Sequence, residues 1–494
     1  MAIPIYKRTA LSNSSWQRGL PRASPTSSAA GVPWPAIGSP PIPHRFRRGA
    51  PRPVAPADGF STEHKRTAFL SILLAVCATQ TFAESERTQP GELNAAPIYR
   101  RAGSLLRQLP DDFQQRANAI IENGWQDKDE DLKALLNVNQ DAIQEFLGAT
   151  RLAECQFVTP GAQKDYTTPS PDYTKEVSVA KLALMQGRLY EREQNFDATQ
   201  ERYLAVLRFA HHLGGQRESI LLGKLMEIIV RRLVLAPLAE YVQRGRFDAD
   251  RGQHLLKSLL SLHEQQKGLE GAFREERELR QNTLRRMFEE KAKQTGRYDK
   301  TFYQALYRAL DALEEEYAGY LLAGVKANNL EAYVEKLGQL KREVKREAGS
   351  LQVKLEMLVT GKKPPTLVAK MLIVSSMPPD ERVVSRYYVF RTELSVVIVG
   401  TAMKLFELQN GRSPERLEEL VPRYLPEVPQ DPFNNWQPLR YAKGVTGWVV
   451  YSFGPDRQDN QGKQRYQESP SKTGDIVFIS SSVQERETRE EVRR

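Results

Sequence analysis

The stretch KLALMQGRLYEREQNFDATQERYLAVL, residues 181–207, decides the fold class. Its apolar residues recur at spacings of three and four, the period of an α-helix rather than the alternation of a strand. A polar break at Glu193-Gln194-Asn195 divides it in two. The small residues Ala183 and Gly187 let a second helix approach closely, and Tyr190, Phe196, Tyr203 and Val206 fill the seam. The expectation is two helices packed back to back.

Outward from this pair the same period dominates. From Gly91 to about Ser350, Gly and Pro are sparse except in TPGAQKDYTTPSP, residues 159–171, which reads as a loop. Residues 253–294 read as a long helix dense in charge, as in Arg274 to Arg280. Leu306, Leu310, Leu313, Tyr317 and Tyr320, then Leu330, Tyr333, Leu337, Leu340 and Val344, predict a helical hairpin with coiled-coil-like seams. The seam packs within the chain or, alternatively, serves self-association. Charge runs such as Glu314-Glu315-Glu316 are expected to be solvated faces.

Punctuation then changes. Lys362 to Pro365 reads as a linker and Pro378-Pro379 as a break, followed by a helix from about Glu381 to Gln409. Its apolar centre, Glu393 to Val399, is interrupted upstream by Arg391 and is expected to pack on a small sheet. Ser413-Pro414 predicts a helix start, with Leu417, Leu420 and Val421 as its apolar face. Leu439–Tyr441 and Trp448–Phe453 predict a hairpin, and Asp475–Ile479 a last strand. The expected fold is mainly α: a helical-hairpin or solenoid-like domain over 84–262, long helices over 263–360, and a small α+β domain over 366–480 with a three-stranded antiparallel sheet. Residues 481–494 form a charged tail.

The formal net charge of +10 invites a nucleic-acid reading, but residues 1–66 hold ten Lys/Arg against two acids. The remaining 428 residues carry only +2 and no obvious basic face, so no nucleic-acid partner is expected. Residues 1–60 contain eleven of the thirty prolines and read as disordered, an over-long start. Residues 61–83 resemble a signal peptide: His64-Lys65-Arg66, a short apolar run, and Ala83 at the exit. Export to the periplasm or cell surface is expected, with membrane association if this segment stays uncleaved. Cys77 lies within it, so the mature chain would keep Cys155 alone, which excludes an internal disulfide. Cys155 reads as a packed residue. His211 and His212 are neighbours on a helix, about 100° apart, and cannot clamp one metal together. There is no phosphate-cradling Gly loop, Gly-x-Ser-x-Gly or His-Glu-x-x-His.

Gly187, Tyr190 and Tyr203 fall at the offsets of a tetratricopeptide repeat, which this hairpin resembles, although Thr199 replaces its Ala and no second copy follows. Residues 91–262 are similar to helical domains of uncharacterised exported bacterial proteins, a resemblance that carries no activity. Asn410-Gly411-Arg412, Val428 to Phe433, Leu439-Arg440-Tyr441, Tyr451 to Asp456 and Gly474-Asp475-Ile476 occur in one order. Over about 383–480 they resemble the C-terminal domain of the major pseudopilin of type II secretion systems. In that family the loop between the last strands binds calcium. The resemblance implies Asp456 and Asp475 as ligands, carbonyls near Ser452 or Phe453, and Asp459 as a third carboxylate. Calcium needs such mixed oxygens, while Arg457, Lys463, Arg465 and Lys472 bring 451–475 to zero net charge; a plain turn with Asp caps is the alternative. The processed membrane helix by which pseudopilins polymerise is not in its place. The expected function is an exported, non-catalytic scaffold with protein partners on its helical surfaces. The alternative is an envelope enzyme with a groove between the helical and C-terminal domains.

Overall fold

Alternating polar and apolar faces fold into fourteen α-helices and five short strands among the described residues of the computed structural model. These are 94–480 apart from 108, 159–164, 166–169, 217–220, 296–298, 361, 377–380, 445–446 and 467–472. The expectations for residues 1–83, for most of the 159–171 loop and for the 481–494 tail lie outside them.

Helix α5 (Thr174–Arg192) is the centre of the first half, buried on every face from Ser178 to Arg188. Such all-round burial requires neighbours on all sides. They are α1 (Ala95–Ser104), α2 (Phe113–Asn123) and α4 (Gln140–Ala149), with α3 (Asp131–Val138) behind α4, and α6 (Phe196–Gly215). The seam foreseen at 181–207 forms. A Cβ on Gly187 would lie 3.0 Å from the Arg202 Cβ and 3.1 Å from the Tyr203 ring, so any larger residue would have to push the two helices apart by a few tenths of an ångström. Tyr203 and Val206 are buried, and Asn195 caps α6 through the Ala198 amide at 3.3 Å.

Helix α7 (Leu221–Gln243) continues the stack on α6. The expected helix over 253–294 is instead two, α8 (Ala249–Glu264) and α9 (Leu269–Thr295), separated at 265–268. The break, which includes Gly268, lets α8 pack on α6 while α9 packs on α7 and on α10 (Lys300–Ala327). Helix α10 turns into α11 (Glu331–Ala348) at Asn328, whose left-handed φ of 49° closes the hairpin. Leu306, Leu310, Tyr317, Tyr333, Leu337 and Leu340 are buried as the spacing foresaw. Much of that seam is covered by α13 (Pro365–Ser376), which packs on α10 and α11. The short α12 (Leu351–Thr360) rests on α11.

Glu314 corrects the solvated-face expectation: it is fully buried, with Arg280 at 3.1 Å and Arg277 at 3.8 Å from its carboxylate. Glu315 and Glu316 are exposed. A buried carboxylate needs such partners, and both come from α9.

Helix α14 (Glu381–Asn410) joins the two halves. It packs on α7 and α8 and, toward its C-terminal end, on the sheet. Strands β1 (Gln430–Asp431) and β2 (Gln437–Pro438) form a minimal ladder. Strands β3 (Arg440–Gly444), β4 (Gly447–Ser452) and β5 (Ile476–Ile479) form the expected antiparallel sheet in the order β3-β4-β5. Trp448, Val450 and Phe478 are buried, each contributing roughly 1.5–3 kcal/mol. A Cβ on Gly400 would meet the Phe478 ring at 2.5 Å, so this glycine sets the spacing between helix and sheet.

At the predicted helix start after Gly411 only a 3₁₀ turn forms, Leu417–Leu420. Ser413 does not cap it but donates to Glu407 at 2.5 Å; the Glu419 carboxylate takes the Glu415 and Arg416 amides instead. A competing side-chain acceptor thus replaces the foreseen cap.

Candidate functional site at the carboxylate loop

Asp475 ends the long loop between β4 and β5 and is fully buried. Its two carboxylate oxygens accept the backbone N–H groups of Asn460 at 3.2 Å and Gly462 at 2.6 Å. Those amides face it because Gln461 and Gly462 take φ of 58° and 71°, a left-handed turn. Asp459 caps the same turn from inside, accepting the Gln461 amide at 2.8 Å. Asp456 spans the loop, accepting the Gly474 amide at 2.8 Å and its own turn's Gln458 amide at 3.2 Å. The returning chain lies alongside, with Asp475 N donating to the Gln464 carbonyl and Tyr466 N to the Asp475 carbonyl, both at 2.7 Å.

The loop therefore gathers the three sequence-predicted aspartates into one segment, each holding at least one amide. Burial raises the proton affinity of Asp475, its amide donors lower it, and the like charge of Asp459 raises it further. Among the described residues no group of three His, Cys, Asp or Glu side chains is placed to hold a metal. Carboxylate oxygens of this kind are the ligand type a hard cation takes, and in this loop they accept backbone N–H groups.

A fourth carboxylate was missed by the sequence reading as a site residue. Asp431 is fully buried; one oxygen accepts Ser452 Oγ at 2.7 Å and the Phe433 amide at 2.9 Å, the other the Phe453 amide at 3.0 Å. Burial raises its proton affinity against these donors. The Asp431-Pro432 pair was the available signal, because such a pair starts a turn.

Arg457 does not oppose the aspartates. Its guanidinium donates to the backbone carbonyl of Asn328, in the turn of the α10–α11 hairpin. Asn328 in turn donates its amide to the Pro432 carbonyl at 3.0 Å. Tyr388 on α14 adds a bond to the Val325 carbonyl at 2.6 Å.

Away from this loop, a crevice of ≈ 420 Å³ opens within the helical half, with Trp125 and Phe196 in its walls. Arg188, Arg192, Arg244 and Arg246 line it, with Glu191 and Glu240. Glu191 accepts from Arg188 at 2.6 Å, Arg246 at 3.1 Å and the Tyr203 hydroxyl at 2.9 Å, while Glu240 takes the second Arg188 nitrogen at 2.7 Å. Arg192 turns outward to Asp127 and Glu130. Every charge there has an ionic partner, and the carboxylates act as anchors for guanidinium groups.

His212 is packed: Nδ1 accepts the Tyr99 hydroxyl at 2.8 Å, so Nε2 carries the proton toward the Leu152 carbonyl at 3.1 Å. Burial brings the pKa of His211, His212 and His263 down to about 4. Burial likewise pushes the Cys155 thiol far up, leaving no reactive thiolate.

No family model matches the chain, and no curated protein or solved structure is significantly similar to it. Among the described residues no helix is long and apolar enough to cross a membrane.

Proposed function

We propose that the chain is an exported, non-catalytic scaffold of the cell envelope, in which a helical array presents a small pseudopilin-like module to protein partners. The observation that carries this reading is the anchoring of the module. Helix α14 packs on α7 and α8 and also on β4 and β5, and the Asn328 turn bonds to both Pro432 and Arg457. A module held at both a shared helix and a remote turn presents its loops in a fixed orientation, which suits recognition. The order of long helix, turn-rich crossing and three antiparallel strands supports the pseudopilin-like part of the reading. The carboxylates and guanidinium groups described above serve structural bonds, which supports a non-catalytic role. Calcium is the ion proposed for the loop at Asp456, Asp459 and Asp475.

The deciding experiment is N-terminal sequencing of the protein recovered from fractionated cells. A chain starting just after Ala83 in the envelope fraction is expected. Full-length protein confined to the cytoplasm would overturn the export reading.

A further inference from the structure

Helix α12 carries its apolar face outward. Val353 is only 7% exposed, whereas Leu351, Leu355 and Leu358 are 72%, 53% and 82% exposed. At 100° per residue the three leucines form one stripe within about 60° of arc, and Val353 lies on the opposite side. The helix thus docks through Val353 and holds three leucines in solvent. Lys354 borders the stripe and, like Lys341, Arg342, Lys345 and Arg346 on the preceding helix, is exposed. None of these five cations has an ion pair among the described residues. The nearby acids Glu343 and Glu347 are instead engaged by Lys370, at 3.4 and 2.7 Å.

We propose that the 341–358 segment is a docking surface for an anionic lipid bilayer, with Leu351, Leu355 and Leu358 entering the acyl boundary and the five cations meeting the headgroups. An apolar helix stripe beside unpaired Lys and Arg is the pattern of an interfacial helix, which lies in the membrane plane without crossing it. The competing occupants fit less well. Nucleic acid would use the cations but leave the leucines in water. A second copy meeting this face by two-fold symmetry would bring five cations against five.

The test uses the full chain with Leu358→Cys labelled by an environment-sensitive fluorophore, in a Cys77→Ser background, Cys155 being buried. The label reads this surface and not the basic N-terminal segment. Vesicles of phosphatidylcholine with phosphatidylglycerol are expected to shift the emission to the blue, far more than phosphatidylcholine alone. Replacing Lys345 and Arg346 by Gln should weaken the partitioning on the order of tenfold or more. Leu351→Ser with Leu355→Ser should weaken it on the order of a hundredfold while the circular dichroism stays unchanged. No shift on anionic vesicles, or an equal shift on both lipids, overturns the proposal. A lipid-independent shift that grows with protein concentration also overturns it and assigns the face to self-association.

Discussion

Asn328 donates its side-chain amide to the Pro432 carbonyl, 3.0 Å away and more than a hundred residues later in the chain. One residue in a helix turn therefore holds the crossing segment of the small module, while its own carbonyl receives Arg457. Asn328→Ala removes the donor from a buried carbonyl and places a Cβ-bearing residue without a local hydrogen bond at φ 49°. The expected loss is roughly 2–4 kcal/mol. Asn328→Gly relieves the backbone part and should recover about 1 kcal/mol. Urea midpoints at constant slope measure both.

Glu227 sits between Lys224 at 3.0 Å and Arg231 at 2.6 Å, all three buried, with Arg231 stacked over Phe390 of α14 at 5.5 Å. Glu227→Ala leaves two buried cations facing each other and is expected to cost about 3–5 kcal/mol. Thermal unfolding measures it; a change below about 1 kcal/mol would show that the triad is solvated.

Histidine makes the fold acid-sensitive. His211, His212 and His263 have folded pKa values of about 4 against the ordinary 6.5, because burial disfavours the imidazolium. Their contribution is complete above pH 6.5 and is lost as pH falls toward 4. Within that window each histidine adds a slope of about 1.4 kcal/mol per pH unit. His212→Gln should remove one such increment from the stability–pH curve.

Asp431 acts in the opposite sense. Burial raises its pKa in the folded chain, so folding takes up a proton as pH falls. Its linkage contribution is most favourable below the unfolded value and is lost as pH rises through the folded one. Asp431→Asn replaces one acceptor by a donor beside the Phe453 amide, at an expected cost of about 1–3 kcal/mol at neutral pH. That deficit should widen between pH 7 and 4, as denaturant titrations of both proteins would record.

Calcium supplies the fifth expectation. Millimolar calcium should raise the Tm of the full chain, by about 2.7 kcal/mol of stabilisation at a hundredfold excess over Kd. Asp456→Ala should abolish the increment. A Tm unchanged by the ion removes calcium from the loop.

Much of the helical order was legible because apolar spacing survives any tertiary context: the 181–207 pair, the 302–344 hairpin and the three-stranded sheet stand where periodicity placed them. What escaped the reading depends on partners remote in sequence. Glu314 is indistinguishable from Glu315 and Glu316 until Arg280, thirty-four residues away, is brought beside it. The division of 253–294 had a local signal in Gly268, but that α8 then packs on α14 while α9 packs on α10 depends on helices remote in sequence. At the loop, resemblance pointed to Asp456, Asp459 and Asp475, but their amide partners arise from left-handed turns at Gln461 and Gly462. Asp431 is legible only as the start of a turn; its role as anchor for β4 requires Ser452 to arrive at its carboxylate.

The double packing of α14 has a consequence for how the chain comes apart. A sheet of three short strands has too little interior to persist without the helix beneath it. The same helix fills the floor against α7 and α8. Neither half therefore has an unfolding transition to itself: amides in β4 and β5 should exchange with solvent through the same rare opening as those of α7, as one cooperative unit.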